Sequence, residues 1–205
     1  LSFRGHVYSR AGVAAFTTST GYGIAKYDNP EELSVSDRNN IGYQYTDCPL
    51  YWISVIYLNF AEAKAEMGSL TQDDLNNSIN KLQARAGLPA MTTTPDADPA
   101  NNMGVSNLIW EIRRCRRCEL IMDNWYRYWD LIRWHQLDKL DSTKYPNTML
   151  GANVSNVPDC EEATKNGYID ASDAQIRTYE AKHYFYPIPT TQLTLNKNMK
   201  QNPGW

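Results

Sequence analysis

A mainly α-helical fold is what this sequence predicts, and three observations carry the expectation. Leu50 to Ala86 contains two helical runs separated by Gly68. Ser106 to Leu140 places apolar residues at steps of three or four over a long stretch, the spacing of an amphipathic helix. The segments between are rich in Thr, Pro, Asp and Asn and hold only brief β-leaning pieces. The expected architecture is a helical hairpin plus one long helix, with long irregular loops and a few short strands.

In chain order, residues 1–48 are rich in Gly, Ser, Thr, Asn, Asp and Tyr, and predict irregular chain with short strands at Gly5-His6-Val7-Tyr8 and Val13-Ala14-Ala15-Phe16. Turns are expected at Asp28-Asn29-Pro30 and at Asp37 to Asn40. Tyr51, Val55, Leu58, Ala61 and Ala65 predict a helix over 50–67, stopped by Gly68 in the left-handed conformation. Thr71 caps a second helix over 71–86, with Asp73 and Asp74 in its first turn and Gly87 at its end. So short a turn makes the two helices antiparallel, and alanines 61, 63 and 65 allow close approach. The hairpin has tetratricopeptide size and only part of that repeat's consensus, hence "TPR-like".

Ser106 caps the long helix, expected over 106–138. Its apolar stripe is Leu108, Ile112, Cys115, Met122, Trp125, Trp129 and Ile132, with one double step from 115 to 122. Trp110, Trp125, Trp129 and Trp134 are read as core. Three of the four arginines Arg113, Arg114, Arg116 and Arg117 are expected to pair with acids or lie in solvent. Arg127, Asp130 and Arg133 fall three apart, where opposite charges meet, and are read as a buried or half-buried structural ion-pair set. Residues 89–105 and 141–177 are long polar loops. Residues 179–188 alternate enough for a short strand, and Thr190 or Thr191 caps a last helical turn before Asn196. Pro187 and Pro189 keep the backbone extended and remove donors; Trp205 ends a polar tail and is expected to dock on the helical body.

Composition narrows the function. A chain of 205 residues can form a single domain over 1–205. A net charge of −3 gives no argument for nucleic acid, and no run reaches membrane-spanning length. The three histidines are dispersed, and no nucleophile elbow, phosphate loop, dinucleotide fingerprint or zinc-protease motif is present. No catalytic residue, cofactor or metal is assigned. Cys115 and Cys118 are read as helix-packing residues; a Cys48–Cys160 bridge is left open. Fourteen Tyr and six Trp against four Phe give side chains with an apolar face and a polar edge, as sugar binding or ordinary packing would use. Tyr43, Gln44 and Tyr45, beside Asn39, Asn40 and Asp47, have the best local composition for sugar contacts, with Tyr22 and Tyr27 next; the alternative is that these tyrosines pack against the helical body and bond backbone.

Four blocks, Thr20 to Tyr27, Ala61-Glu62-Ala63 through Arg85-Ala86-Gly87-Leu88, Arg113-Arg114 through Trp134, and Tyr186-Pro187-Ile188-Pro189 with Gln201-Asn202-Pro203-Gly204-Trp205, in that order resemble those of the SusD/RagB family of surface glycan-binding lipoproteins of Bacteroidota. Ala61-Glu62-Ala63 through Asn80 to Arg85-Ala86-Gly87-Leu88 resembles the family's helical hairpin, and Thr20 to Tyr27 its upstream glycine segment. Arg113-Arg114 through Glu119-Leu120 to Asp130-Leu131-Ile132-Arg133-Trp134 resembles its arginine helix, with Cys115 in place of an acidic residue. Tyr186-Pro187-Ile188-Pro189 and Gln201-Asn202-Pro203-Gly204-Trp205 are similar to its closing segment. The resemblance implies a SusD-like α-α superhelix and a non-catalytic, cofactor-free protein. It further implies capture of oligosaccharide or polysaccharide for a TonB-dependent, SusC-like transporter at the outer membrane, where a lipid anchor outside this chain holds the protein. In the family the ligand face comes largely from upstream residues. The chain starts at Leu1 without a leader and is therefore expected to be the C-terminal region of a longer protein. The alternative is a free-standing helical-repeat adaptor binding a protein or peptide.

Overall fold

The computed structural model of the chain describes residues 3–5, 20–24, 34, 50–123, 125–156, 164–172 and 175–205. Two antiparallel strands, β1 (Phe3–Gly5) and β2 (Tyr22–Ile24), precede α1 (Ile53–Glu66), α2 (Gln72–Asn76), α3 (Ile79–Arg85), α4 (Asn107–Glu119) and α5 (Tyr126–Arg133). A three-stranded antiparallel sheet of order β3-β5-β4 follows, from β3 (Leu150–Asn153), β4 (Thr164–Lys165) and β5 (Tyr168–Asp170), and then α6 (Thr190–Leu195). Helix dominates, as expected. The rest of Gly5 to Tyr8, Val13 to Phe16 and the turns at 28–30 and 37–40 lie outside the described residues. The chain forms two units, residues 27–127 and residues 1–26 with 128–205.

In the first unit α1 packs on α3 and α4. Its core is Val55, Leu58, Ala61, Leu75, Ile79, Leu82, Met91, Ile112 and Leu120. The hairpin ends where the glycines said it would: Gly68 and Gly87 have φ of 66° and 68°, and Ser69 N–H and Leu88 N–H donate back to Lys64 O and Gln83 O. Thr71 and Asp74 form a reciprocal capping box, and Lys64 reaches Asp74 at 2.7 Å, tying α1 to that cap. The expected single helix over 71–86 is two helices. Buried Ser78 donates its hydroxyl to Asp74 O at 2.5 Å, and that side-chain competition for a helical carbonyl breaks the run. Of the three alanines, only Ala61 is fully buried; Ala63 faces solvent.

Helix 106–138 is also interrupted. Ser106 caps it as expected, its hydroxyl accepting from Ile109 N–H at 3.3 Å, but α4 ends at Glu119. Met122 and Trp125 then take φ of 63° and 58°, a left-handed conformation that ends helices and that bulky side chains rarely adopt. The break shifts the helical phase, so much of the expected stripe faces outward: Met122, Trp125 and Trp129 are exposed. Buried in its place are Leu120 before the break, and Asp130, Leu131 and Trp134 after it. Among the tryptophans only Trp134 is core; Trp110 is half-buried and donates to Asp98 at 3.0 Å.

In the second unit the stretch expected as loop over 141–177 carries the three-stranded sheet. Leu150 pairs with Asp170, Asn153 with Tyr168, and Thr164 with Ile169. Gly151 is required there: a Cβ would lie 2.3 Å from Thr20 O, the carbonyl that accepts from Ala152 N–H at 2.8 Å. The expected strand over 179–188 is a 3₁₀ turn, Ala181–Tyr184, capped by Glu180 and His183. The tail docks on this turn and not on a helical body: Trp205 Nε1–H donates to Lys182 O and Phe185 O at 3.2 and 2.9 Å. Between the two prolines, Ile188 N–H donates to Gln201 Oε1 at 2.8 Å and Gln201 Nε2–H donates to Ile188 O at 2.9 Å. Removing residues 199–205 is expected to lower the thermal midpoint, at ~1 kcal/mol for each lost hydrogen bond, and to speed proteolysis within 181–190. Unchanged melting and cleavage in the truncated chain would show the tail to be idle.

Candidate functional site

Among the described residues, the cleft with the strongest sugar-binding chemistry lies in the second unit. It has a volume of about 290 Å³ and is lined by Tyr128, Leu137, Leu140, Arg177, Thr178, Tyr179 and His183. Tyr128 comes from α5, the leucines from the 3₁₀ turn Leu137–Leu140, and the other residues from the irregular stretch before and within the turn 181–184.

Asp141 holds that irregular stretch in place. Its carboxylate accepts from Thr143 N–H and hydroxyl at 2.9 and 2.5 Å and from Tyr179 N–H at 3.1 Å. Ser142 and Arg177 exchange backbone and hydroxyl hydrogen bonds at 2.9 and 3.0 Å. The Thr143 hydroxyl foremost, then Tyr179 N–H, pull the Asp141 carboxyl down from 3.8 to about 2. A depressed carboxyl stabilises the fold above its unfolded value, and that contribution disappears as pH falls through the folded value. The stability gap between wild type and Asp141→Asn is therefore expected to be full above pH 4 and to close toward pH 2. Urea midpoints across that range check it; a gap independent of pH would contradict the assignment.

Aromatic rings surround the cleft. Tyr179 lies 5.7 Å edge-on from Tyr184 and 6.1 Å from His183; His183 lies 5.7 Å from Trp205. Tyr128 and Tyr186 share a hydrogen bond at 3.1 Å between hydroxyls. Burial, then the bond to Tyr184, pushes the Tyr179 phenol up to about 12; the bond to Tyr186, then burial, raises that of Tyr128. Both phenols stay protonated in neutral water, able to donate and accept. His183 Nδ1 accepts from Glu180 N–H at 3.0 Å, which assigns the proton of the neutral ring to Nε2.

The sites expected from sequence fare unevenly. Tyr22 is exposed, its N–H donating to Thr20 Oγ1 at 3.3 Å; Tyr43, Gln44 and Tyr45 lie outside the described residues, as do Tyr27, Cys48 and Cys160. Asp130 is buried and accepts from half-exposed Arg133 at 2.9 Å, while Arg127 is half-buried on the same helix. The more enclosed pair is elsewhere: Arg113 reaches Glu62 at 3.1 Å and Glu66 at 3.2 Å, with 10% and 4% of the Arg113 and Glu62 side chains exposed. Arg116 is buried and donates to Asn59 at 2.8 Å. Arg114 pairs with Glu111, which raises the guanidinium's pKa. Burial foremost pushes the Cys115 thiol up to about 12, so it is inert.

The cleft itself was missed at the sequence level. Arg177, Thr178, Tyr179 and His183 follow no periodic pattern; the surplus of Tyr and Trp was the available signal. Among the described residues no group of three or more His, Cys, Asp or Glu could hold a metal ion. No described helix is long and apolar enough to cross a membrane.

A family model described as the SusD family matches residues 6–205. The chain is similar to the crystal structure of a SusD-like protein from Bacteroides fragilis, at 25% identity and a TM-score of 0.57, over 92% of this chain and 31% of that one. It is also similar to the solved protein BT4246, at 24% identity and a TM-score of 0.65 over 97% of this chain and 30% of that one. The selenomethionine form of BT4246 matches at 26% identity and a TM-score of 0.59, over 97% and 31%. The chain thus spans roughly a third of the length of the solved structures it matches. No curated protein matches it.

Proposed function

Since the chain belongs to the SusD family over residues 6–205, we propose that it is part of a non-catalytic surface protein that captures oligosaccharide or polysaccharide for import. The family match carries this reading. The partner is a TonB-dependent, SusC-like transporter, and the location is the outer membrane, reached through a lipid anchor outside residues 1–205. The cleft bounded by Tyr128 and Tyr179 supports the reading because it offers ring faces and protonated phenols, the groups that stack on sugars and bond their hydroxyls. Tyr22, exposed on β2, and Tyr43, Gln44 and Tyr45 are proposed as separate contacts.

The test is a panel of plant, host and microbial oligosaccharides presented to the full-length protein and to this chain. Saturable binding to at least one glycan is expected, with Tyr179→Ala weakening this chain's binding about tenfold, as loss of one stacking face worth ~1.4 kcal/mol would. A panel without binders would sink the proposal.

One observation favours the adaptor alternative. Ile53, Ile56 and Phe60 leave an apolar stripe of α1 open, the kind of surface that helical-repeat proteins use for partners. Co-purification separates the two readings: a transporter as the retained partner supports import, and a soluble protein supports the adaptor.

A further inference from the structure

Taking the glycan-binding reading as its basis, we infer that the cleft beside Tyr179 selects saccharides that carry a carboxylate, with Arg177 as the group that reads the charge. The observation is a combination of ring faces with one unopposed cation. Arg177 lines the cleft and is exposed. Its backbone is fixed on both sides, N–H to Ser142 Oγ at 3.0 Å and C=O to Ser142 N–H at 2.9 Å. Its guanidinium meets no carboxylate among the described residues, whereas Arg85, Arg113, Arg114 and Arg133 each have one within 4 Å.

The surroundings leave that charge in place. No acidic residue lines the cleft. Of the acids nearby, Asp141 directs its carboxylate to Thr143 and to Tyr179 N–H and forms no ion pair with Arg177, and Glu180 is engaged by Lys182 at 3.1 Å. Asp138 acts on Tyr179 only through its charge, as the least of the influences on that phenol. A guanidinium presents a planar fork of donors that matches the two oxygens of a carboxylate. The adjoining Tyr128 and Tyr179 rings supply faces for the pyranose, and the Thr178 hydroxyl supplies a donor and an acceptor. At about 290 Å³ the space is at the small end of ligand clefts, which suits a single sugar unit of a longer chain. A uronic acid unit places its carboxylate at the ring's edge, so stacking on tyrosine and pairing with the neighbouring arginine are compatible in one pose.

The experiment uses the full-length protein, a short oligomer of galacturonic acid, and the same oligomer with its carboxyl groups reduced to primary alcohols, titrated calorimetrically at fixed ionic strength. The acid form is expected to bind about tenfold more tightly than the reduced form, one charge-assisted pair's worth of discrimination. Arg177→Gln should erase that difference, bringing the acid form to the affinity of the reduced oligomer, with the melting temperature unchanged since the side chain is exposed. Equal affinity for the two oligomers, or a preference that survives Arg177→Gln, overturns the charge selection and leaves glycan binding standing. Absence of binding by either oligomer overturns the charge selection as well, and only a glycan panel that is also blank brings down the function beneath it.

Discussion

Arg113→Met is expected to destabilise the helical unit by ~3–5 kcal/mol, the cost of removing one partner of a buried ion pair. The reason is Glu62. Its side chain is 4% exposed and Arg113 Nε–H donates to it at 3.1 Å, while the same guanidinium reaches Glu66 at 3.2 Å. Methionine fills much of the arginine stem's space, so the loss measured is electrostatic more than steric. In the same helix, Arg114→Met should cost under ~1 kcal/mol, because its pair with Glu111 is i,i+3 and half in solvent. The contrast is the check, read from urea midpoints at constant slope. Glu62→Leu combined with Arg113→Met should cost less than the two single changes added together, because they remove the same interaction. If the double variant is additive, or Arg113→Met costs no more than Arg114→Met, the pair does not hold α1 against α4.

This pair also shows how far sequence alone reaches. Four arginines on one helix announced that acids were needed, but Glu62 lies 51 residues from Arg113, and local spacing says nothing about contacts at that range. Elements with strong local signals were legible: Gly68 and Gly87 ended their helices, and Thr71 with Asp74 and Ser106 began theirs. The break after Glu119 left one trace, the double step in the apolar stripe between Cys115 and Met122, and a long periodic run outweighed it. Strands of two to four residues such as β3, β4 and β5 are shorter than any pattern that alternation can establish. The turn 181–184 alternates like a strand, yet Glu180 and His183 bind each other's backbone N–H groups, a pairing that sequence does not announce. The cleft was least legible, because its wall at 177–179 is placed by Asp141 and Ser142, residues whose role is visible only once the chain is folded.

Asn80→Ala is the second large loss expected, and its mechanism is local. The buried Asn80 amide brackets Met91: its Oδ1 accepts Met91 N–H at 2.7 Å and its Nδ2–H donates to Met91 O at 3.1 Å. Met91 is itself 5% exposed and part of the core, so the loop entering at residue 89 is tied into the hairpin at this residue, with Asn80 alone holding its N–H. In Asn80→Ala the Met91 carbonyl keeps Gln72 Nε2–H at 3.0 Å, but its N–H is left buried and without an acceptor. An unsatisfied buried donor costs ~1–3 kcal/mol and the lost packing adds to it, which gives an expected ~2–4 kcal/mol. Gln201 brackets Ile188 in the same way, yet Ile188 is half-buried and water can replace the amide, so Gln201→Ala should cost ~1 kcal/mol. Amide hydrogen exchange distinguishes this from general loosening. The Met91 N–H should lose protection in Asn80→Ala by more than its neighbours in α3, whereas a uniform loss across the helices would mean that Asn80 serves packing and not the loop.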